Sequence, residues 1–384
     1  MNNTTACSKS WTDVNIDFKS GTLGHCCKSV YYDIPTKLTS DFFSNSELIQ
    51  KRRQDTLDGK QHQDCKECWN EVNQGRKSYI NYWNKWENFD NVKADVPQIE
   101  TIEIELDNTC DLSCLYCAAE QSSSIAKEEG IKIVDRTSKE QIEAFKHWLK
   151  STIEASEEIL QLTFSGGEPT ASKLFYELIE YIGTLDTSKV TIDVITNGNS
   201  KPYLLKKLIN AIENSTARWS ITISNESYKE DSQLIRYGLD WNRFEENVKT
   251  YASTENIEHI HFGTTLSNVA VPTFPLYVKW IYETMKPYTV EFSITGGIIM
   301  QPKEMDIAIL PKHYKLYIEQ ALDIVNSYPE SNCIRERSFF DYLDVVYERI
   351  GSNRKQDYKE IIEVFLEKKQ NVKKTDTLMR LKNV

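Results

Sequence analysis

From Ile99 to about residue 327 the chain alternates, six times over, a short β-branched run with a stretch of helix length. The strand-like runs are IETIEIEL (99–106), LTF (162–164), TIDVIT (191–196), WSITIS (219–224), HIHFGTTL (259–266) and TVEFSI (289–294). Helical stretches follow around 138–155, 171–184, 202–213, 241–253, 274–286 and 311–327. Parallel neighbours need a connection of about a dozen residues, usually a helix, so this alternation predicts a parallel α/β domain. Periodicity leaves an open sheet and a barrel both available. At 384 residues the chain exceeds one average domain, and 40% apolar content supports a real core.

Before Ile99 the texture differs. VNIDF (14–18) alternates as a strand should, and KSGTLG turns the chain back toward Cys26 and Cys27, which predicts a hairpin. Residues 45–60 read as a short helix, capped by Asn45 or Ser46 and ended by Gly59. A polar, aromatic connection over 70–98 ends at Pro97. Residues 335–370 hold two more helices, and the Lys-rich tail 368–384 is expected to fray. The expected division is therefore 1–90, 99–330 and 331–384. No internal repeat is present.

Lys+Arg 46 against Asp+Glu 57 gives −11, which counts against broad binding to a phosphate backbone. No run is long and apolar enough to span a bilayer, and MNNTTACSKSWTD lacks the pattern of an export signal, so a cytoplasmic location is expected. There, nine cysteines read as metal ligands or thiols rather than disulfides.

Cys110-Asp-Leu-Ser-Cys114-Leu-Tyr-Cys117 sits directly after the first strand of the alternation. A loop at the carboxyl end of a parallel strand is where such folds place chemistry. Three thiolates this close can wrap three irons of a cubane and leave the fourth open, as catalysis at a metal requires. Zinc would want a fourth local Cys or His; spacing alone leaves both metals open.

C-x3-C-x2-C with Tyr116 before the last Cys resembles the signature of radical S-adenosylmethionine (SAM) enzymes. Ser165-Gly166-Gly167-Glu168-Pro169 resembles the family's Gly-Gly-Glu-Pro motif, and Thr196-Asn197-Gly198 its Thr-Asn-Gly. Ser224-Asn225 closes the fourth strand, where many members have Ser-x-Asp; Asn225 departs from that pattern. The resemblance spans roughly residues 99–310 and implies a partial (β/α)6 TIM-like barrel. It also implies a [4Fe–4S] cluster on Cys110, Cys114 and Cys117 whose open iron chelates SAM. Gly166 and Gly167 would let the backbone approach the ligand, and Glu168 would accept from the SAM ammonium. Tyr116 would lie near adenine, with Asn197, Ser224 and Arg236 toward ribose and carboxylate, Thr265 a weaker candidate, and 296–302 a shelf for adenine.

The N-terminal pattern C-x13-G-x4-C…C-x2-C, through Cys7, Gly21, Cys26, Cys65 and Cys68, resembles the twitch module, the shortened relative of SPASM domains. Arg53…Gly59…Cys65-Lys66-Glu67-Cys68 adds to that likeness. It implies a second, auxiliary [4Fe–4S] cluster, with zinc or free thiols as alternatives and Cys27 as a rival to Cys26. Cys333 reads as a small buried hydrophobe. Twitch and SPASM enzymes mostly modify peptides, so the leading expectation is an oxidoreductase that oxidises or crosslinks a peptide side chain. A flavodoxin or ferredoxin would supply electrons. Small-molecule, sugar-like or nucleotide chemistry is the alternative, with nucleic acid disfavoured. A degenerate binding module would be expected to have lost a triad Cys or Glu168, and both are present.

Overall fold

The computed structural model describes residues 5–35, 41–75, 78–134, 136–328, 331–334 and 337–368. Among the described residues the strands are β1 (Asp13–Asp17), β2 (Thr22–Gly24), β3 (Tyr32–Asp33), β4 (Thr101–Glu105), β5 (Ser113–Cys114), β6 (Leu160–Ser165), β7 (Val190–Thr196), β8 (Arg218–Ser224), β9 (Arg236–Tyr237), β10 (Ile257–Leu266) and β11 (Glu291–Ile298). All six strands of the alternation are present, in the sheet order β11-β10-β8-β7-β6-β4 and parallel throughout. The sheet is open rather than closed, as a partial barrel is.

The six expected helices follow their strands, at Lys139–Ala155, Lys173–Ile182, Pro202–Glu213, Trp241–Ala252, Phe274–Met285 and Lys315–Asn326. Three start where a side chain accepts from their own first turn: Ser138 from Gln141 N, Ser172 from Phe175 N, and Asp240 from Asn242 N. The apolar strand positions pack beneath these helices, as with Phe262 edge-on to Trp280.

The opposite face is polar. Across it Glu103, Thr163, Asp193 and Ser220 stand in register on β4, β6, β7 and β8, followed by His259 on β10. His259 and His261 both bond Ser293 Oγ, at 3.1 and 2.8 Å. Burial pushes the Asp193 carboxyl up to about 6, against hydrogen bonds from Ser220 and Thr222 that pull it down. Closed barrels of this type fill the same face with branched apolar side chains. This one instead presents donors and acceptors.

The N-terminal hairpin forms as expected, β1 antiparallel to β2. What the sequence did not indicate is that β1 also pairs parallel with β4, Asp13 opposite Thr101, so the cysteine-bearing segment continues the same sheet. Arg53, 1% exposed, ties this region together: Nε donates to Ser10 O at 2.7 Å, Nη2 to Ser44 O at 2.9 Å, and Nη1 to Ala94 O at 3.2 Å. Within 70–98, Trp86 and Phe89 pack on Trp11. At the far edge the Arg337–Arg349 helix lays Tyr342 against Gly296, where an added Cβ would meet the ring at 2.2 Å, and its hydroxyl donates to Gly297 O at 3.1 Å. Cys333 bridges Phe292 and packs half-buried against the core. The expected fraying tail lies outside the described residues beyond 368. Among the described residues no helix is long and apolar enough to cross a membrane.

Candidate functional site

The Cys110–Cys117 loop leaves β4 at the carboxyl edge of the sheet and is pinned from three sides. Ser122 Oγ donates to Leu112 O at 2.6 Å, Ser123 Oγ accepts from Cys110 N at 3.1 Å, and Ser124 Oγ donates to Cys110 O at 2.8 Å. β5, inside the loop, pairs antiparallel with β9, setting Cys114 opposite Arg236. The third support is the Gly-Gly turn after β6. Gly167 N donates to Asp107 O at 2.9 Å and Glu168 N to Thr109 O at 2.7 Å. A Cβ on Gly167 would fall 2.5 Å from Thr109 O, and one on Gly166, at φ +129°, 2.9 Å from Asp107 O. What these glycines admit directly is the backbone of the cysteine loop. Gly167→Ala is expected to displace the loop, so that anaerobic reconstitution incorporates less iron while circular dichroism stays that of the parent. Full iron incorporation in that variant would count against the contact.

Glu168 is 2% exposed, and its carboxylate organises the turn. Oε1 accepts from Thr170 N (3.1 Å), Thr170 Oγ1 (2.6 Å) and Thr196 Oγ1 (2.8 Å). Among the described residues Oε2 accepts only from Asn197 N, at 2.7 Å. A carboxylate oxygen has room for about two donors, so the free acceptor capacity lies on Oε2. Burial raises the Glu168 pKa, with the Thr170, Asn197 and Thr196 bonds opposing it.

Asn197 does not present a free amide. Its Nδ2 donates to Asp111 Oδ1 at 3.1 Å, and Asn199 Nδ2 donates to Asp111 Oδ2 at 3.2 Å, so two amides hold the carboxylate inside the cysteine motif. Asn199 and Asp111 were not singled out from the sequence. The Asn-Gly-Asn spacing after β7 is the signal that was there to find.

Tyr116 and Arg236 meet at Glu226, which is fully buried. Tyr116 Oη donates to Glu226 Oε1 at 2.9 Å; Arg236 Nε and Nη2 donate to Oε2 at 3.0 and 2.7 Å. The Arg236 guanidinium lies 5.7 Å from the Tyr116 ring centroid. Glu226 stands two residues after Ser224, so the Ser-x-acid spacing falls on Glu226; Asn225 is the intervening residue and does not break the pattern. Burial pushes the Cys114 thiol up to about 12, with the Arg236 charge pulling it down. Ser224 ends β8 half-buried on the polar face, where Thr265 also stands, on β10.

The N-terminal cysteines gather from three segments. Cys26 lies within electrostatic reach of Cys7 and Cys68, and Cys65 within reach of Cys26 and Cys7. Cys27 is exposed and faces Glu103 and Lys28. His25 Nε2 is 3.7 Å from Cys65 Sγ. Among the described residues the buried Arg52 Nε, His25 Nδ1 and both oxygens of the buried Asp64 carboxylate have no hydrogen-bond partner. A buried guanidinium beside four thiols suits an anionic centre. Among the described residues no three His, Cys, Asp or Glu side chains converge tightly enough to chelate one metal ion. A cubane takes its thiolates at wider separations, with irons and sulfides between them. In residue type both cysteine groups match that donor set, and Glu168 Oε2 keeps acceptor capacity.

Residues 104–269 match the family model described as the Radical SAM superfamily. No curated protein matches the sequence. Among solved structures the chain is similar to Streptococcus suis SuiB bound to S-adenosylmethionine, at 14% identity and TM-score 0.44, covering 84% of this chain and 71% of that one. It is also similar to SuiB bound to the precursor peptide SuiA, at 14% identity and TM-score 0.40, covering 88% and 74%.

Proposed function

We propose that the chain is a radical SAM oxidoreductase that oxidises or crosslinks a peptide or protein side chain, a reading supported by the match of residues 104–269 to the Radical SAM superfamily model. Cys110, Cys114 and Cys117 would hold a [4Fe–4S] cluster, with Glu168 Oε2 accepting from the ammonium of SAM. When bound, that pair supplies reductive cleavage of the sulfonium and a 5′-deoxyadenosyl radical able to take hydrogen from an unactivated C–H bond. The chain's own part is placement: Asp111, held by Asn197 and Asn199, fixes the loop, and the open sheet leaves a side for a large substrate to enter.

The observation that carries the oxidative reading is the gathering of Cys7, Cys26, Cys65 and Cys68 on an extension of the same sheet. Four thiolates can close around an auxiliary cluster, leaving it the chemistry of an electron acceptor. A flavodoxin or ferredoxin in a reducing cytoplasm would supply the first electron. A second reading, oxidation of a sugar-like small molecule, is favoured by the hydroxyls and imidazoles across the helix-free face. Reduced, reconstituted protein given SAM and deuterated peptides is expected to release 5′-deoxyadenosine carrying deuterium. Label transferred from deuterated polyols instead would favour the second reading, and absence of 5′-deoxyadenosine would remove both.

A further inference from the structure

Two adjacent arginines on the Glu47–Leu57 helix, Arg52 and Arg53, are buried to 2% and 1% exposure. They are partnered very differently. Arg53 spends its guanidinium on three backbone carbonyls and on Asn45 Oδ1, the last at 3.2 Å. Among the described residues Arg52 Nε has no hydrogen-bond partner, and its charge is paired only loosely, with the buried Asp64 carboxylate 3.8 Å from Nη1. One loose ion pair leaves donors of a fully buried guanidinium unsatisfied, which is costly unless a further anion completes its surroundings. Cys65 and Cys26 both lie within reach of its charge.

We propose that Arg52 is a positioning residue for the centre held by Cys7, Cys26, Cys65 and Cys68: its guanidinium faces that centre and holds its reduction potential up. This rests on the auxiliary-cluster reading above. Adding one electron makes the centre one charge more negative. A buried cation therefore stabilises the reduced state more than the oxidised one, with little screening by solvent. An acceptor of an electron from a substrate radical gains from this bias.

The test is an EPR-monitored redox titration of the full, reconstituted chain without substrate. Arg52→Gln is expected to lower the midpoint of the N-terminal centre by at least tenfold in the reduced-to-oxidised ratio, about 59 mV for a one-electron couple. The Cys110/Cys114/Cys117 centre should not move. Arg52→Lys, which keeps the charge, should stay within that tenfold window and carries the test if the Gln variant cannot be loaded. An unmoved midpoint in Arg52→Gln overturns the proposal. So does an equal shift in Arg52→Lys, or loss of the centre from both variants with circular dichroism unchanged. A parent protein holding about four irons rather than about eight would remove the auxiliary cluster itself, an outcome read without any Arg52 variant.

Discussion

Replacing Cys110, Cys114 and Cys117 together by alanine is expected to remove about four of about eight irons and to abolish release of 5′-deoxyadenosine. The fold should survive, because the loop is held by contacts that do not involve sulfur: the three serines 122–124, the β5–β9 pairing, and the two asparagines on Asp111. Alanine is smaller than cysteine, and Cys110 is the one member of the triad that is buried, so overpacking is not introduced. Iron and sulfide analysis with circular dichroism on the same sample separates loss of a centre from loss of structure. Undiminished iron in the triple variant would reject the assignment.

The second large effect is expected from Cys65→Ala with Cys68→Ala. The variant should keep the other centre, SAM binding and substrate-independent cleavage, and lose formation of oxidised or crosslinked product. The competing account is that these cysteines only staple the hairpin region. Metal sites in small segments do contribute folding free energy. Here, however, Arg53 and the Trp11–Trp86–Phe89 cluster join the same region without metal, and β1 is held by β4. Product mass reports the oxidation, and circular dichroism with substrate binding reports integrity. A folded variant that binds substrate and still makes full product would sink the acceptor role. One that unfolds would favour the staple.

Much of this was legible before any coordinates. A six-fold alternation leaves few ways to connect parallel strands, and all six strands and their helices stand within a few residues of where the pattern put them. The partner of β1 was not legible, because a five-residue strand carries no mark of which distant edge it will join. Glu226 was marked only by its Ser-x-acid spacing, and the folded chain is what shows Tyr116 and Arg236 converging on it from separate segments. Gly166 and Gly167 were recognisable as positions needing close approach, yet sequence could not say that the approaching group is residues 106–109 of the chain itself. Asn197 was visible as a polar residue at a strand end, while its engagement with Asp111 depends on two loops meeting.

The pairing of Asn15 with Glu103 joins residues 88 positions apart, and that separation sets an order of events at the ribosome. Synthesis runs at about 5–20 residues per second, so β1 waits on the order of ten seconds for the strand it must lie beside. During that interval Cys7, Cys26, Cys65 and Cys68 have emerged without the sheet edge that aligns them, and closing so long a loop is slow. On the auxiliary-cluster reading proposed above, delivery of iron and sulfide to these four cysteines would belong after β4 has been made, although all four precede β4 in the chain. A carrier serving that site would act no earlier than the pairing of β1 with β4, when the chain has passed Glu105 and the hairpin has its sheet neighbour.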